Sequence, residues 1–458
     1  MFPAQTYVER RERLIGQFDS GLLLFLGNEE SPINHLANAY PFRQDSSFLY
    51  YFGVDHPGYA ALVDVDEGRT VVYADDLTID DIVWTGILPT VAELAAAGGV
   101  TETRPAARLA GDLAAARGRT VHFLPPYRGE NAVKLFELLG VRPGEQAAAA
   151  SVELVRAIVE MRVVKSPEEI AEIETAVDTS IDMHLAAMRM ARPGVTEAAI
   201  AAKVTEIALA AGPGLAFPVI GTIHGETLHN HDHSHTLSSG DLFLLDAGAE
   251  SPLHYAGDLT STFPVDPRFT PRQRDVYDIV LAAHQASVAA CRPGVNFRDV
   301  HAVACRTLAE GLHGLGLMRG ALDDAVAQGA HALFFQCGTG HMLGLDVHDM
   351  EDLGELWVGY QGRERSTQFG LKSLRLARPL QPGFVFTVEP GIYFIPELIR
   401  RWRAEGRFTE FVDYDRLEAW TDFGGIRIED NVVVTDAGHR VLGKPRPRTA
   451  AEVEAERS

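Results

Sequence analysis

The sequence predicts an α/β (α+β) chain built of two domains, and three observations carry that prediction. Short apolar runs alternate with helix-patterned stretches through roughly the first 150 residues. A strongly capped long helix then opens a second region near residue 165. Within that region the phrase Arg-Pro-Gly-Val closes a long helix twice, at 192–195 and again at 292–295.

Taken in order, LLLFLG (22–27) and YAALVDV (59–65) read as strands. The second is followed by the turn Asp66-Glu67-Gly68 and by TVVYA (70–74), which completes a hairpin. VHFL (121–124) is a further buried strand after an alanine-rich helical stretch. Val152 to Met161 has helical spacing. Ser166 then precedes Pro167-Glu168-Glu169, an N-cap with proline at the first helical position and acids in the first turn. The domains are therefore set at 1–164 and 165–458. Further helices are expected from Thr196, from Pro271 to Cys291, and from Gly294 to about Gly314. The recurring RPGV is read as a weak internal repeat. A duplicated helix-pair-plus-sheet unit and turn chemistry alone both account for it.

Composition narrows the function. Of 458 residues, 46% are hydrophobic, enough for a large core, and the formal net charge is −22. A surface this acidic repels phosphate backbones, which argues against nucleic acid as a partner. The opening MFPAQTYVERRERLIGQF lacks the apolar core of a signal peptide, and no apolar run is long enough to span a bilayer. Three dispersed cysteines, Cys291, Cys305 and Cys337, form no disulfide framework, so a reducing cytoplasm is the expected compartment.

The informative anomalies are polar residues inside apolar strands. In GDLFLLDAGAE, Leu244 and Asp246 share one strand face, and HYAGDLTSTFPV returns with Asp258, so a hairpin brings both carboxylates together. In FTVEPGIYF, Glu389 ends an apolar strand, and in GIRIEDNVVV, Arg427 and Glu429 point together away from Ile426 and Ile428. Taken singly, each has an ordinary reading: a turn acceptor, a surface ion pair or, for His341 in GTGHMLG, a satisfied core histidine. Uncompensated together they would be very costly. Four carboxylates with one histidine suit a pair of divalent ions such as Mn²⁺. The tract LHNHDHSH (228–235), with histidine at every second position, is on composition either a solvated loop or a metal-binding stretch.

The motifs LDAG, GDLTSTF, GHMLGLDVHD, TVEPGIYF and GIRIED, in this order, resemble those of the pita-bread metallopeptidases. From about residue 15 to the end the chain resembles the Xaa-Pro peptidases among them, prolidase and aminopeptidase P, and is most similar to prolidase. FRQDSSFLYYFG (42–53) resembles the N-terminal domain of that group. The resemblance implies a creatinase/aminopeptidase P-like α/β domain followed by a pita-bread catalytic domain. It implies that two divalent ions are held by Asp246, Asp258, His341, Glu389 and Glu429, with Asp258 and Glu429 bridging. Mn²⁺ is the expected metal, with Co²⁺ or Zn²⁺ as alternatives. Glu389 is the implied proton shuttle, His229 and His348 the substrate-facing histidines, and Arg427 an arginine supporting the ligand carboxylates at the substrate site. Arg375 in GLKSLRLARPLQPG matches the arginine with which prolidase holds a dipeptide's carboxylate. The other tract histidines, His231, His233 and His235, match no assigned family position and are expected to be plain loop.

Two departures from the pattern stand out. The Asp246-to-Asp258 segment is one residue longer, and Cys337 stands where these peptidases carry histidine. The resulting expectation is a dinuclear-metal hydrolase of the Xaa-Pro bond in dipeptides. It acts on proline-containing peptides as a homo-oligomer (dimer or tetramer), without nucleic acid or membrane. The alternatives are an aminopeptidase P acting on longer peptides and a non-catalytic pita-bread binding protein.

Overall fold

Apolar runs too short for helices become strands, and near the N-terminus they assemble into one sheet. In the computed structural model, which describes residues 1–457, that sheet runs Glu102–Arg104, Arg69–Tyr73, Ala60–Asp64, Leu22–Leu26, Val121–Phe123 from edge to edge. Ala60–Asp64 is antiparallel to both neighbours, and Leu22–Leu26 is parallel to Val121–Phe123. The short edge strand Glu102–Arg104 carries no apolar pattern that would mark it in the sequence. Helix Ser46–Phe52 is wholly buried, and Asp45 caps it by accepting from the Phe48 N–H at 2.8 Å.

The chain divides between Met161 and Arg162 into two compact units, slightly before the expected change near Lys165. Helix Pro167–Met190 opens the second unit's helical layer with the capping box anticipated at Ser166 and Glu169. Helix Pro271–Ala290 starts the same way, with Thr270 and Gln273. Each long helix ends in its Arg-Pro-Gly-Val turn and leads to a second helix, Glu197–Ala211 or Phe297–Gly314. Gly194 and Gly294 take φ of +91° and +84°, a conformation that favours glycine. Their N–H groups donate to the Leu237 and Leu380 carbonyls, and the N–H groups of Leu237 and Leu380 return to Val195 and Val295. Turn chemistry explains the glycines but not matching partners so far along the chain. The repeat is a duplicated structural unit.

Each helix pair covers a three-stranded antiparallel sheet. The first contains Ile220–Thr222, Leu242–Ala247 and Leu259–Pro264, and the second Val385–Val388, Asp430–Thr435 and Gly438–Val441. This two-sheet, four-helix arrangement is the pita-bread fold expected from the motifs. The repeats meet where the Glu429 N–H donates to the Thr260 carbonyl at 3.2 Å and Asn431 exchanges hydrogen bonds with the Asp258 backbone.

One ion cluster fixes the segment that leads to the site. Arg162 and Lys165, both nearly inaccessible, each donate to Asp349 at 2.8 Å. Two cations hold that carboxyl below the usual carboxylate range against the opposing effect of burial. A buried charge needs such partners, and their consequence here is to anchor the residue next to His348.

Candidate active site

Asp246 lies within strand Leu242–Ala247, directly opposite Thr260 and Ile220. Asp258 immediately precedes the returning strand, Glu389 follows Val385–Val388, and Glu429 sits between Gly425–Arg427 and Asp430–Thr435. Chain ends of both sheets thus converge, and all four carboxylates, together with His341, line one cavity of about 220 Å³. His341 reaches it because its loop runs flush against the second sheet. A Cβ on Gly340 would lie 2.0 Å from the Thr387 carbonyl oxygen.

His341 donates from Nδ1 to the Met342 carbonyl at 3.0 Å. That fixes the tautomer and turns the Nε2 lone pair toward Asp258 at 3.3 Å and Glu389 at 3.5 Å. Asp258, His341 and Glu429 offer ligand atoms that all lie within 4.8 Å of one another. Asp246 Oδ1, Asp258 Oδ1 and Glu429 Oε1 are buried with no hydrogen-bond partner. Buried carboxylate oxygens are normally paired. Three such oxygens facing one imidazole are the donor set of a divalent-cation site, so the residues fit a metal pair.

Electrostatics agree with geometry. Burial pushes Asp246 and Asp258 up to about 7, with neighbouring carboxylates adding to the rise and Arg427 opposing it. Burial and Asp258 drive Glu429 well above its ordinary range. Arg427 is the one cation donating into the cluster among the described residues. It donates to Asp246 at 2.5 Å, to the Tyr393 hydroxyl at 2.9 Å and to Thr260 Oγ1 at 2.9 Å. Its guanidinium thus engages a ligand carboxylate while lining the cavity.

Two threonines absent from the sequence reading hold the acids in place. Thr260 Oγ1 donates to Glu429 at 2.7 Å while accepting from Arg427. Thr387 Oγ1 donates to Glu389 at 3.1 Å while accepting from the His341 N–H. Both are fully buried hydroxyls inside apolar strands, the same anomaly that exposed the carboxylates, and that signal was available.

The histidine tract divides. His229 and His231 line the cavity. His233 instead meets the Val219 carbonyl at 3.1 Å, and His235 meets Glu197 at 3.0 Å. Burial, with Arg427 adding, lowers the pKa of His229. His231 was expected to be plain loop, so its place on the wall is new. His348 packs edge-on against His341 with ring centroids 4.2 Å apart, and its Nδ1 lies 2.6 Å from Glu351. Glu351 also meets Arg375 at 3.1 Å. Cys337 shares the wall, and burial raises its pKa to about 12.

A buried cage of acids around one imidazole, opening on a peptide-sized cavity, defines a metal-dependent hydrolase. Residues 171–436 match metallopeptidase family M24, and residues 7–122 match the aminopeptidase P N-terminal domain. The chain belongs to metallopeptidase family M24. It is 31% identical to a human Xaa-Pro dipeptidase, across 95% of this chain and 88% of that protein. It is equally 31% identical to an Escherichia coli Xaa-Pro aminopeptidase, across 98% of this chain and 97% of the other. Two solved structures superpose with a TM-score of 0.82, each covering 100% of this chain and 98% of theirs. They are Pseudomonas aeruginosa aminopeptidase PepP at 27% identity and zinc-substituted E. coli aminopeptidase P in complex with product at 29%.

The carboxyl shifts give a pH signature for metal-free protein. Asp246 and Asp258 keep their protons in the folded state up to about pH 7 but ionise near 3.8 when unfolded. Their contribution is therefore complete below about pH 4 and is lost as pH rises through 7. Buried neutral histidines such as His184 and His301, depressed to about 3, act in the opposite direction. Chelated wild type should lose stability relative to chelated Asp258→Asn across that window, and excess metal should reverse the loss. Paired thermal melts test this. A stability difference that does not change with pH would contradict the buried, protonated state of these acids.

Proposed function

We propose that this metallopeptidase cleaves Xaa-Pro bonds and prefers dipeptides. The observation that carries the reading is Arg375 on the wall of the same cavity as the five donors. A two-residue substrate with its proline carboxylate against that guanidinium sets its scissile bond beside the acids.

Asp246, Asp258, His341, Glu389 and Glu429 would hold two ions, with Mn²⁺ preferred because four of the five donors are carboxylates. When bound, such a pair supplies a water of lowered pKa and polarises the scissile carbonyl. Glu389, partly exposed and oriented by Thr387, would accept a proton at its carboxylate and return it to the leaving proline nitrogen. His348 has its Nδ1 engaged by Glu351, which leaves Nε2 for the substrate carbonyl. His229, kept neutral by its surroundings, serves as a hydrogen-bonding partner on the opposite side of the peptide. Arg427 donates to Asp246 and keeps it aligned. The free thiols Cys291, Cys305 and Cys337 fit a reducing cytoplasm, and a homo-oligomer is the expected assembly.

A second reading, aminopeptidase P, is favoured by the engagement of Arg375 with Glu351 at 3.1 Å and Glu355 at 3.4 Å. Two acids already balance that cation, which weakens its attraction for a substrate carboxylate.

Purified protein should carry two divalent ions per chain. Asp258→Asn and Glu429→Gln should each lose metal and nearly all turnover, measured by elemental analysis beside kinetics. Full metal content and normal turnover in either variant would disprove the ligand set.

His229→Ala and His348→Ala should keep their metal but lose about 10²–10³-fold in kcat, the usual cost of removing one positioned donor or acid–base group. His233→Ala, whose ring bonds to a backbone carbonyl, should stay near wild type. Equal losses at His229 and His233 would mean that the tract acts as a whole.

The decisive comparison is an Xaa-Pro dipeptide against an Xaa-Pro-Yaa tripeptide with added Mn²⁺. A charge-assisted contact from Arg375 contributes about 1.5–3 kcal/mol, or roughly 10- to 150-fold in kcat/KM. The dipeptide should win by about that factor, and Arg375→Ala should erase the advantage by harming dipeptides alone. A tripeptide preference untouched by Arg375→Ala would establish the aminopeptidase reading instead.

A further inference from the structure

A second group of soft donors lies in the core, sharing no residue with the catalytic cluster. His301 and Cys305 stand four residues apart on helix Phe297–Gly314, so they share a face. His331 comes to them from the short turn Ala330–Leu333. One ligand atom from each of the three lies within 4.8 Å of the others, and all three residues are buried.

The details go beyond proximity. His301 Nδ1 is 2.8 Å from Thr339 Oγ1. The tautomer that donates there turns the Nε2 lone pair toward Cys305 Sγ, 3.4 Å away. Tetrahedral zinc, with Zn–S of about 2.3 Å and Zn–N of about 2.0–2.1 Å, separates its sulfur and nitrogen ligands by roughly 3.5 Å. His331 is 6% exposed, and its Nδ1 has no hydrogen-bond partner. Buried polar atoms are normally paired, so this nitrogen is left open to a ligand. Burial lowers the pKa of His301 to about 3 and that of His331 to about 4, so both lone pairs are available at any physiological pH.

We propose that His301, Cys305 and His331 bind one thiophilic divalent ion of the zinc type. Imidazole and thiolate select such ions over the Mn²⁺ class, which favours carboxylates. Each ion bound displaces one proton, from the Cys305 thiol to solvent, and three protein donors leave the fourth position to water. The site is joined to the catalytic loop through Thr339, whose carbonyl accepts from the Glu389 N–H at 2.8 Å. Occupancy therefore stiffens the backbone behind Glu389.

Cobalt substitution tests this independently of peptidase activity. Sulfur-to-cobalt charge transfer absorbs in the near ultraviolet, whereas cobalt held by carboxylates and imidazole lacks that band. Wild type, Cys305→Ser, His331→Gln and Cys337→Ser are saturated with Co²⁺ and dialysed, then bound cobalt is counted and spectra are recorded. Wild type should hold one more ion per chain than Cys305→Ser or His331→Gln and should show the band. Cys337→Ser should match wild type, which separates this site from the cavity thiol. A wild type without the band overturns the proposal, as does a band that disappears with Cys337 and survives Cys305→Ser. Should Cys305→Ser fail to fold, the wild-type spectrum and His331→Gln still decide the matter.

Discussion

Concentrating carboxylates away from water is the constraint on which the catalytic unit depends. Asp246, Asp258 and Glu429 are each nearly inaccessible, and like charges at such range cannot all ionise in a low-dielectric site without compensation. Arg427 supplies a single positive charge within the cluster. Most of the remaining compensation is left to whatever cation the oxygens receive. The surrounding structure holds the acids in that unfavourable state through Thr260, Thr387 and the crossed hydrogen bonds between Asn431 and the Asp258 backbone.

A contrast one residue along the chain shows how finely this is arranged. Asp430 follows Glu429 but turns into a cluster of Arg446 and Arg448, with His284 3.3 Å away. Those cations hold its carboxyl well below the ordinary range, although burial acts on it as on its neighbour. Successive side chains on extended backbone alternate faces, so Asp430 at the start of its strand is a saturated strut and Glu429 just before it an unsatisfied ligand. The strut keeps the ligand from retreating. Arg446 makes the link explicit, since it binds both Asp430 and the Glu429 carbonyl.

Much of this was legible in the sequence, and the reasons are local. Capped helices at Ser166 and Thr196 announce themselves within a few residues, and an acid inside an apolar strand violates a strong rule whatever its partners. Chain-distant pairings carry no such mark. Glu351 looks like any acid on a polar stretch, yet it orients His348 and meets Arg375. Tyr393 looks like ordinary aromatic core until its hydroxyl is found on Arg427. Arg427 was expected to support the ligand carboxylates, but which of them it meets, Asp246, is not written in the local sequence. The cavity position of His231 depended on how the tract was threaded, which alternation alone does not specify.

The duplicated unit has one more consequence. Asp246 and Asp258 come from the first repeat, and His341, Glu389 and Glu429 from the second. Two identical halves would build a cage with dyad symmetry, and such a cage presents the same surface to a peptide and to its reversed copy. Polypeptides have direction, and removing residues from one end requires a receptacle that can sense it. Unequal donor types across the pseudo-dyad, with an imidazole on one side only, break the degeneracy between forward and backward substrates. The unequal donors of the two halves thus spare the cavity the symmetry that would leave it blind to chain polarity.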